Sequence, residues 1–138
     1  MENINSEYLK KCLDTLKLSY EELKKTETGT VHYEMFHNSL VKGFEMTIEQ
    51  SAKLLKKRLS PYFATKKAID ILTFKDLFRE AHKHSLIEEL TVKRWFEYRD
   101  NRNNTAHDYG QTFEEQTLIL IDDFIVDVEN LLKVIECE

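Results

Sequence analysis

Apolar side chains return every three or four residues along most of this chain, with lysine and glutamate between them, which is the period of a helix buried along one face. The first run, from about Ser6 to Lys25, carries Leu9, Leu13, Leu16, Tyr20 and Leu23 and predicts an amphipathic helix capped by Ser6 and ended by Gly29. A longer run from near Val31 to Leu59 carries Phe36, Leu40, Phe44, Ile48, Leu55 and Leu59. It stops at Ser60-Pro61, because a residue ahead of proline is biased out of the helical region. Gly43 within it marks either a close helix contact or a weak point. Thr73 to about Leu86 predicts a shorter helix, with Thr73 and Asp76 spaced as a near relative of a capping box and Phe74, Leu77, Phe78 and Ala81 on its apolar side. Thr91 then caps a fourth helix through Val92, Trp95, Phe96 and Arg99, which Asn103, Asn104 and Gly110 predict to end between Thr105 and Gly110. Thr112 with Glu115 reads as a capping box for a final helix through about Val134. Its apolar face, which includes Phe113, Leu118, Ile121, Phe124, Val128 and Leu131, is the widest in the chain and wide enough to serve both a core and a partner.

These elements predict an all-α protein, an up-and-down four-helix bundle with one additional short helix, in a single domain over residues 1–138. Three glycines and one proline leave little turn chemistry, and 33% charged beside 41% hydrophobic residues suits amphipathic helices. The net charge of −5 disfavours a protein that coats nucleic acid non-specifically, while leaving local basic patches open. No apolar run is long enough to cross a bilayer. Cys12 and Cys137 lie near opposite ends without zinc spacing, so free thiols in a soluble cytoplasmic protein are expected. His82 and His84 diverge around a helix, His32 and His37 fare no better as ligands, and no HExxH occurs; neither a metal nor a cofactor is expected.

Two charged features stay open at this level. Glu45 and Glu49 share a face of the long helix, and Glu49 with Lys53 has the favourable i,i+4 order, contributing a few tenths of a kcal/mol (~0.2–0.5) on an exposed surface. Alternatively, the carboxylates turn inward toward a polar cleft. Lys53, Lys56, Lys57, Arg58, Lys66 and Lys67 concentrate positive charge around the Pro61 turn. Such a cluster either answers the helix macrodipole or forms a phosphate track or an acidic-partner surface.

The densest chemistry is the run Arg102, Asn103, Asn104, Thr105, Ala106, His107, Asp108, Tyr109. In an unbroken helix Tyr109, seven positions on, returns to the line of Arg102, whereas His107 points about 140° away. A helix that ends by Ala106, or a second chain that supplies the missing partner, lets Arg102 and His107 cooperate. A guanidinium beside an imidazole suits phosphodiester chemistry without a metal, since one can stabilise charge on phosphoryl oxygens while the other moves a proton. RNA needs no external nucleophile, because its 2′-hydroxyl can attack the adjacent phosphate. The plain alternative is that both side chains cap the helix C-terminus and pair with Asp100 or Asp108.

Arg102, four residues, His107, one residue, Tyr109 resembles the signature of the HEPN superfamily, and within it of HepT-type toxins paired with minimal nucleotidyltransferases of the MNT class. Phe44-Glu45-Met46-Thr47-Ile48-Glu49 with Lys53 resembles the second-helix pattern of the branch known as nucleotidyltransferase substrate-binding proteins. Phe78-Arg79-Glu80-Ala81, Leu86-Ile87, Trp95 and Arg102-Asn103 continue that pattern in order, so the resemblance covers roughly residues 36 to 135. It implies a dimeric four-helix bundle with Arg102 and His107 as ribonuclease residues at a shared cleft. Tyr109 takes the position that the partner nucleotidyltransferase modifies with AMP. Asn103 and Asn104 are further candidates for contact with substrate, and Glu45, Glu49 and Lys53 are supporting positions. The implied partners are a second copy of the chain, a cognate MNT-type nucleotidyltransferase and an RNA substrate. A second implication is a non-catalytic subunit that presents substrate to such an enzyme. None of Gly29, Gly43 and Gly110 is followed by serine, so the chain lacks the Gly-Ser signature of a nucleotidyltransferase and is not expected to perform that transfer itself.

Overall fold

The structure, a computed structural model, describes residues 4–105 and 111–137, with side chains described for residues 4–101 and 118–137. Its helices are α1 (Glu7–Lys25), α2 (Val31–Leu59), α3 (Lys66–Asp70), α4 (Phe74–Lys83), α5 (Glu89–Thr105) and α6 (Gln111–Glu136), with a 3-10 turn at Ser60–Tyr62 after α2. The four long helices α1, α2, α5 and α6 form the expected all-α bundle, and α4 is the expected shorter helix. α3 was not expected; at five residues it is too short to show a period, and it is set by Thr65, whose hydroxyl accepts from the Ala68 N–H at 3.1 Å.

Contacts fix the directions of the long helices. Ser19 and Ser39 hydroxyls lie 2.7 Å apart and Gly43 sits against Leu16, so α1 and α2 are antiparallel. Lys10 pairs with Glu136 at 2.9 Å and Lys17 with Glu129 at 3.2 Å, which places α6 antiparallel to α1 on its other side. The core between them is aromatic at its centre. Phe44, Phe78, Trp95, Tyr98 and Phe124 are all fully buried. Phe124 meets Phe44 edge-on at 4.7 Å and Tyr98 at 4.9 Å, while Trp95 stacks on Phe78 at 4.7 Å. One residue from each of α2, α4 and α6 and two from α5 therefore share a single contact cluster, and each large ring buries enough surface to dominate local packing.

Several helix ends differ from the expectation. Ser6 is the residue before α1, but its hydroxyl donates to Glu136 at 2.7 Å; Asn5 Oδ1 accepts from the Glu7 N–H instead. Thr26, not Gly29, follows the end of α1, its N–H bonding the Leu23 carbonyl. Gly29 has a positive φ of 88° in the turn that leads to Thr30, the side-chain cap of α2. α4 ends at Lys83 rather than near Leu86, because Ser85 takes a left-handed φ of 60°. The Leu86 N–H then bonds the Ala81 carbonyl and the Ser85 N–H bonds the His82 carbonyl, a Schellman ending with serine where glycine is usual. α5 starts at Glu89, so Thr91 lies inside it and its hydroxyl accepts from Arg94 at 3.1 Å. α6 starts at Gln111, so Thr112 is a helical residue rather than the cap. The capping box at Thr73 and Asp76 forms in full.

Gly43 is the close helix contact. A Cβ there would stand 3.5 Å from the Leu16 Cα, ordinary contact distance. Gly43→Ala is expected to raise stability by ~0.5–1 kcal/mol through helix propensity. Gly43→Leu should lower it by forcing α1 away from α2; urea unfolding of the two variants checks both signs.

Candidate functional site

α5 carries the candidate site at its C-terminal end. Its buried positions Val92, Trp95, Tyr98 and Asn101 follow the helical period into the core, and Arg102 lies one turn beyond Tyr98. Arg102, Asn103 and Asn104 belong to the last turn of α5, and their side chains lie outside those described; His107 and Tyr109 lie outside the described residues altogether. The described part of α5 runs to Thr105 and that of α6 begins at Gln111; the expected helix end between Thr105 and Gly110 lies outside the described residues. On α2, Glu45 is half-buried while Glu49 and Lys53 are exposed.

What holds the two helices that flank this run is an ionic cluster around a buried carboxylate, with Arg94 half-exposed. Asp127 of α6 is 2% exposed. Its carboxylate accepts from Arg94 Nε at 2.8 Å and from a second Arg94 nitrogen at 2.9 Å, a bidentate fork, and from the Tyr98 hydroxyl. Its hydrogen bond to Asp127 holds the Arg94 guanidinium well above its ordinary pKa. Burial pushes the Tyr98 phenol well above the usual range, and its bond to Asp127 adds to the shift. The sequence reading missed this cluster. Its signal was present: Asp127 follows Phe124 by three and precedes Leu131 by four, so it sits on the apolar stripe of α6, where a lone carboxylate needs donors.

Beside this cluster, a cleft of about 240 Å³ opens between the α4–α5 connection, the start of α5 and α6, lined in part by Ile87, Glu88, Thr91, Trp95, Asp127 and Asn130. Thr91 is eleven residues before Arg102, roughly 16 Å along the helix axis, so the cleft does not belong to the Arg102 end of α5.

The basic cluster around Pro61 divides. Lys56 pairs with Asp70 at 2.6 Å, which holds that carboxyl below the usual range. Arg58 Nε donates to the Val134 carbonyl at 3.1 Å, tying α2 to α6. Lys53, Lys57, Lys66 and Lys67 are exposed. His82 Nδ1 lies 3.0 Å from the Ile87 carbonyl and His84 stacks on Tyr62. Among the described residues no three His, Cys, Asp or Glu side chains are grouped as metal ligands, and no helix is long and apolar enough to cross a membrane. Cys12 is buried, and neither it nor Cys137 is in a disulfide.

A helical bundle whose one dense polar run joins its last two helices defines the class, and comparison with known proteins gives the family. The chain belongs to the family described as nucleotidyltransferase substrate binding protein like, which matches residues 5–136. A protein of Haemophilus influenzae named probable ribonuclease HepT is 34% identical over 93 residues, which are 67% of this chain and 62% of that protein's length. A solved structure from Haemophilus influenzae, described as revealing the fold of a substrate binding domain of a nucleotidyltransferase, superposes with a TM-score of 0.80 at 26% identity, over 95% of this chain and 98% of its own.

The Asp127 cluster makes a pH-dependent prediction. The folded pKa of Tyr98 is raised, so its contribution is fully present below the unfolded tyrosine value of about 10 and is lost as pH rises from there toward the folded value. Tyr98→Phe should cost ~1–3 kcal/mol at neutral pH, since it leaves a buried carboxylate oxygen short of a donor. It should also flatten the alkaline fall in stability. Urea unfolding between neutral pH and pH about 11 measures both; an alkaline slope equal to wild type would contradict the assignment.

Proposed function

We propose that this protein is a metal-independent endoribonuclease of the HepT type, acting as a homodimer and silenced by a cognate MNT-type nucleotidyltransferase. The observation that carries the reading is the spacing Arg102, His107, Tyr109 at the α5–α6 connection, in a chain 34% identical to a protein named as a probable ribonuclease. The 2′-hydroxyl of the RNA attacks its own phosphate, giving up a proton to a base; the P–O5′ bond breaks and the 5′-oxygen takes a proton, leaving a cyclic phosphate and a 5′-hydroxyl. His107 acts as general base or acid, and Arg102 stabilises the charge that builds on the phosphoryl oxygens. Tyr109, with Asn103 and Asn104, contacts the RNA. A nucleotidyl group on the Tyr109 phenol, two residues from His107, adds an anion that competes for Arg102 and blocks the cleft.

Homodimerisation is supported by α6, where Ile119 and Val126, two turns apart on one face, remain 75% and 54% exposed. These two apolar side chains, with exposed Asp122 and Asp123 between them, offer contacts to a second copy whose own Arg102 and His107 complete the site.

A second reading is favoured by the family's description and by that of the solved relative: a non-catalytic subunit that binds the substrate of a separate nucleotidyltransferase. The two separate cleanly. Under the first, wild type arrests growth on expression and cleaves RNA in the presence of a chelator, and His107→Ala or Arg102→Ala lowers cleavage by ~100-fold or more. Under the second, purified protein leaves RNA intact yet forms a stable complex with the neighbouring nucleotidyltransferase. Equal toxicity of wild type and His107→Ala would sink the nuclease reading.

A further inference from the structure

The end of the bundle away from Arg102 gathers lysines from three helices, with Asp70, Glu80 and Glu136 among them, and carries the exposed ring of Tyr62 stacked on the half-buried His84. Phe44, which packs on Tyr98 one turn before Arg102, lies fifteen residues before the end of α2, or roughly 22 Å along its axis. There α2 presents Lys57 and Arg58, the 3-10 turn presents Tyr62, α3 begins with Lys66 and Lys67, and α4 ends at Lys83 beside His84. Tyr62 and His84 stack with centroids 4.0 Å apart and planes 14° from parallel. The Arg58 guanidinium lies 6.0 Å from the Tyr62 ring, held in place by its bond to the Val134 carbonyl. Tyr62 is nevertheless 44% exposed, and Lys57, Lys66, Lys67 and Lys83 are all exposed. Lys56 pairs with Asp70 and the Glu80 carboxylate lies 3.6 Å from His84 Nε2, while Lys57, Lys66, Lys67 and Lys83 face solvent.

We propose that this pole is a second RNA-contacting surface, in which the Tyr62–His84 pair offers a stacking face and Lys57, Lys66, Lys67 and Lys83 take phosphates. The proposal rests on the reading of the protein as one that handles RNA. The combination of a cationic track with an exposed ring is what a single strand needs, since every base has a face to stack and every nucleotide a phosphate to neutralise. An acidic protein surface would use the lysines but has no need of the ring pair. The chain's net charge of −5 sharpens the point: a polyanion is repelled by most of this surface and is admitted where the lysines gather.

The test uses the full chain and a single-stranded 2′-O-methyl RNA long enough to span both ends of the bundle; it lacks the free 2′-hydroxyl and so cannot be cleaved. Fluorescence anisotropy at several salt concentrations is read for wild type, for Lys57→Gln/Lys66→Gln/Lys67→Gln, and for Tyr62→Ala. The triple variant should raise Kd ~10-fold or more and reduce the slope of log K against log salt by about two, the effect of three lost phosphate contacts on a single strand. Tyr62→Ala should weaken binding about five-fold or more with the salt slope unchanged. Unaltered Kd and slope in both variants, with helical content intact by circular dichroism, overturns the proposal. So does a triple variant that keeps its RNA affinity but no longer copurifies with the nucleotidyltransferase, which would make the pole a protein-docking surface. A wild type that binds the uncleavable RNA through this pole yet leaves ordinary RNA intact removes the nuclease reading and keeps this one.

Discussion

A carboxylate taken out of water costs several kcal/mol unless donors replace the solvent, and Asp127 has three, two from Arg94 and one from Tyr98. The arrangement is directional in a way that apolar packing is not. Leucines slide past one another at small cost, but a guanidinium fork meets a carboxylate in one geometry. The register of α5 against α6 is therefore set at this point, inside the aromatic cluster where Tyr98 and Phe124 touch at 4.9 Å. Everything at the C-terminal end of α5 is built outward from it: Arg102 is one turn beyond a hydroxyl that is bonded to the opposite helix. Removing one member would leave a buried charge short of partners, so the cluster resists piecemeal change.

The helices were legible because burial imposes a local period, and among the described side chains most of each long stripe read from the sequence is buried, with Tyr20, Phe36, Phe96, Leu118 and Ile125 partly so. The helix ends were less legible, and the errors share a cause. Ser6 and Thr91 are both residues that favour caps, yet a hydroxyl beside a helix start can also serve another side chain. Ser6 bonds Glu136, 130 residues away, and Thr91 bonds Arg94. The Schellman ending at Ser85 was unreadable for the opposite reason: it uses serine at a left-handed position where glycine is the usual sign. The Asp127 cluster needed tertiary information, since no local rule connects position 94 to position 127. The run from Arg102 to Tyr109 was legible only as an ordered set of residue types, because helical geometry alone turns Arg102 and His107 apart.

Lys10 with Glu136 and Lys17 with Glu129 stitch α1 to α6 across exposed surface, where each pair contributes on the order of 0–1 kcal/mol. Each pair cancels one charge of either sign; the acidic excess of the chain lies on α6, which carries seven Asp and Glu against one lysine. The lysines at the end of α2 and the start of α3 lie at the same end of α6 as Glu136, since Arg58 bonds the Val134 carbonyl; Lys56 is paired there with Asp70, while Lys57, Lys66 and Lys67 are exposed. A protein of net charge −5 can thus keep a local cluster of exposed lysines without being basic.

The two functional readings require the same scaffold and part at a single group. A subunit that only presents a nucleotide chain needs cations to hold phosphates and a surface of the right shape; a nuclease needs, in addition, one imbalance of proton affinity placed within hydrogen-bond reach of a 2′-hydroxyl. Arg102 serves either role, since a fork that binds a phosphate in the ground state binds it more strongly as charge accumulates. His107 serves only the second. An imidazole adds little to the affinity for a phosphodiester that a lysine would not supply better, and its value lies in exchanging a proton near neutral pH. The presence of histidine at that position, five residues after an arginine at the end of a core helix, is therefore the feature that weights the reading toward chemistry rather than presentation.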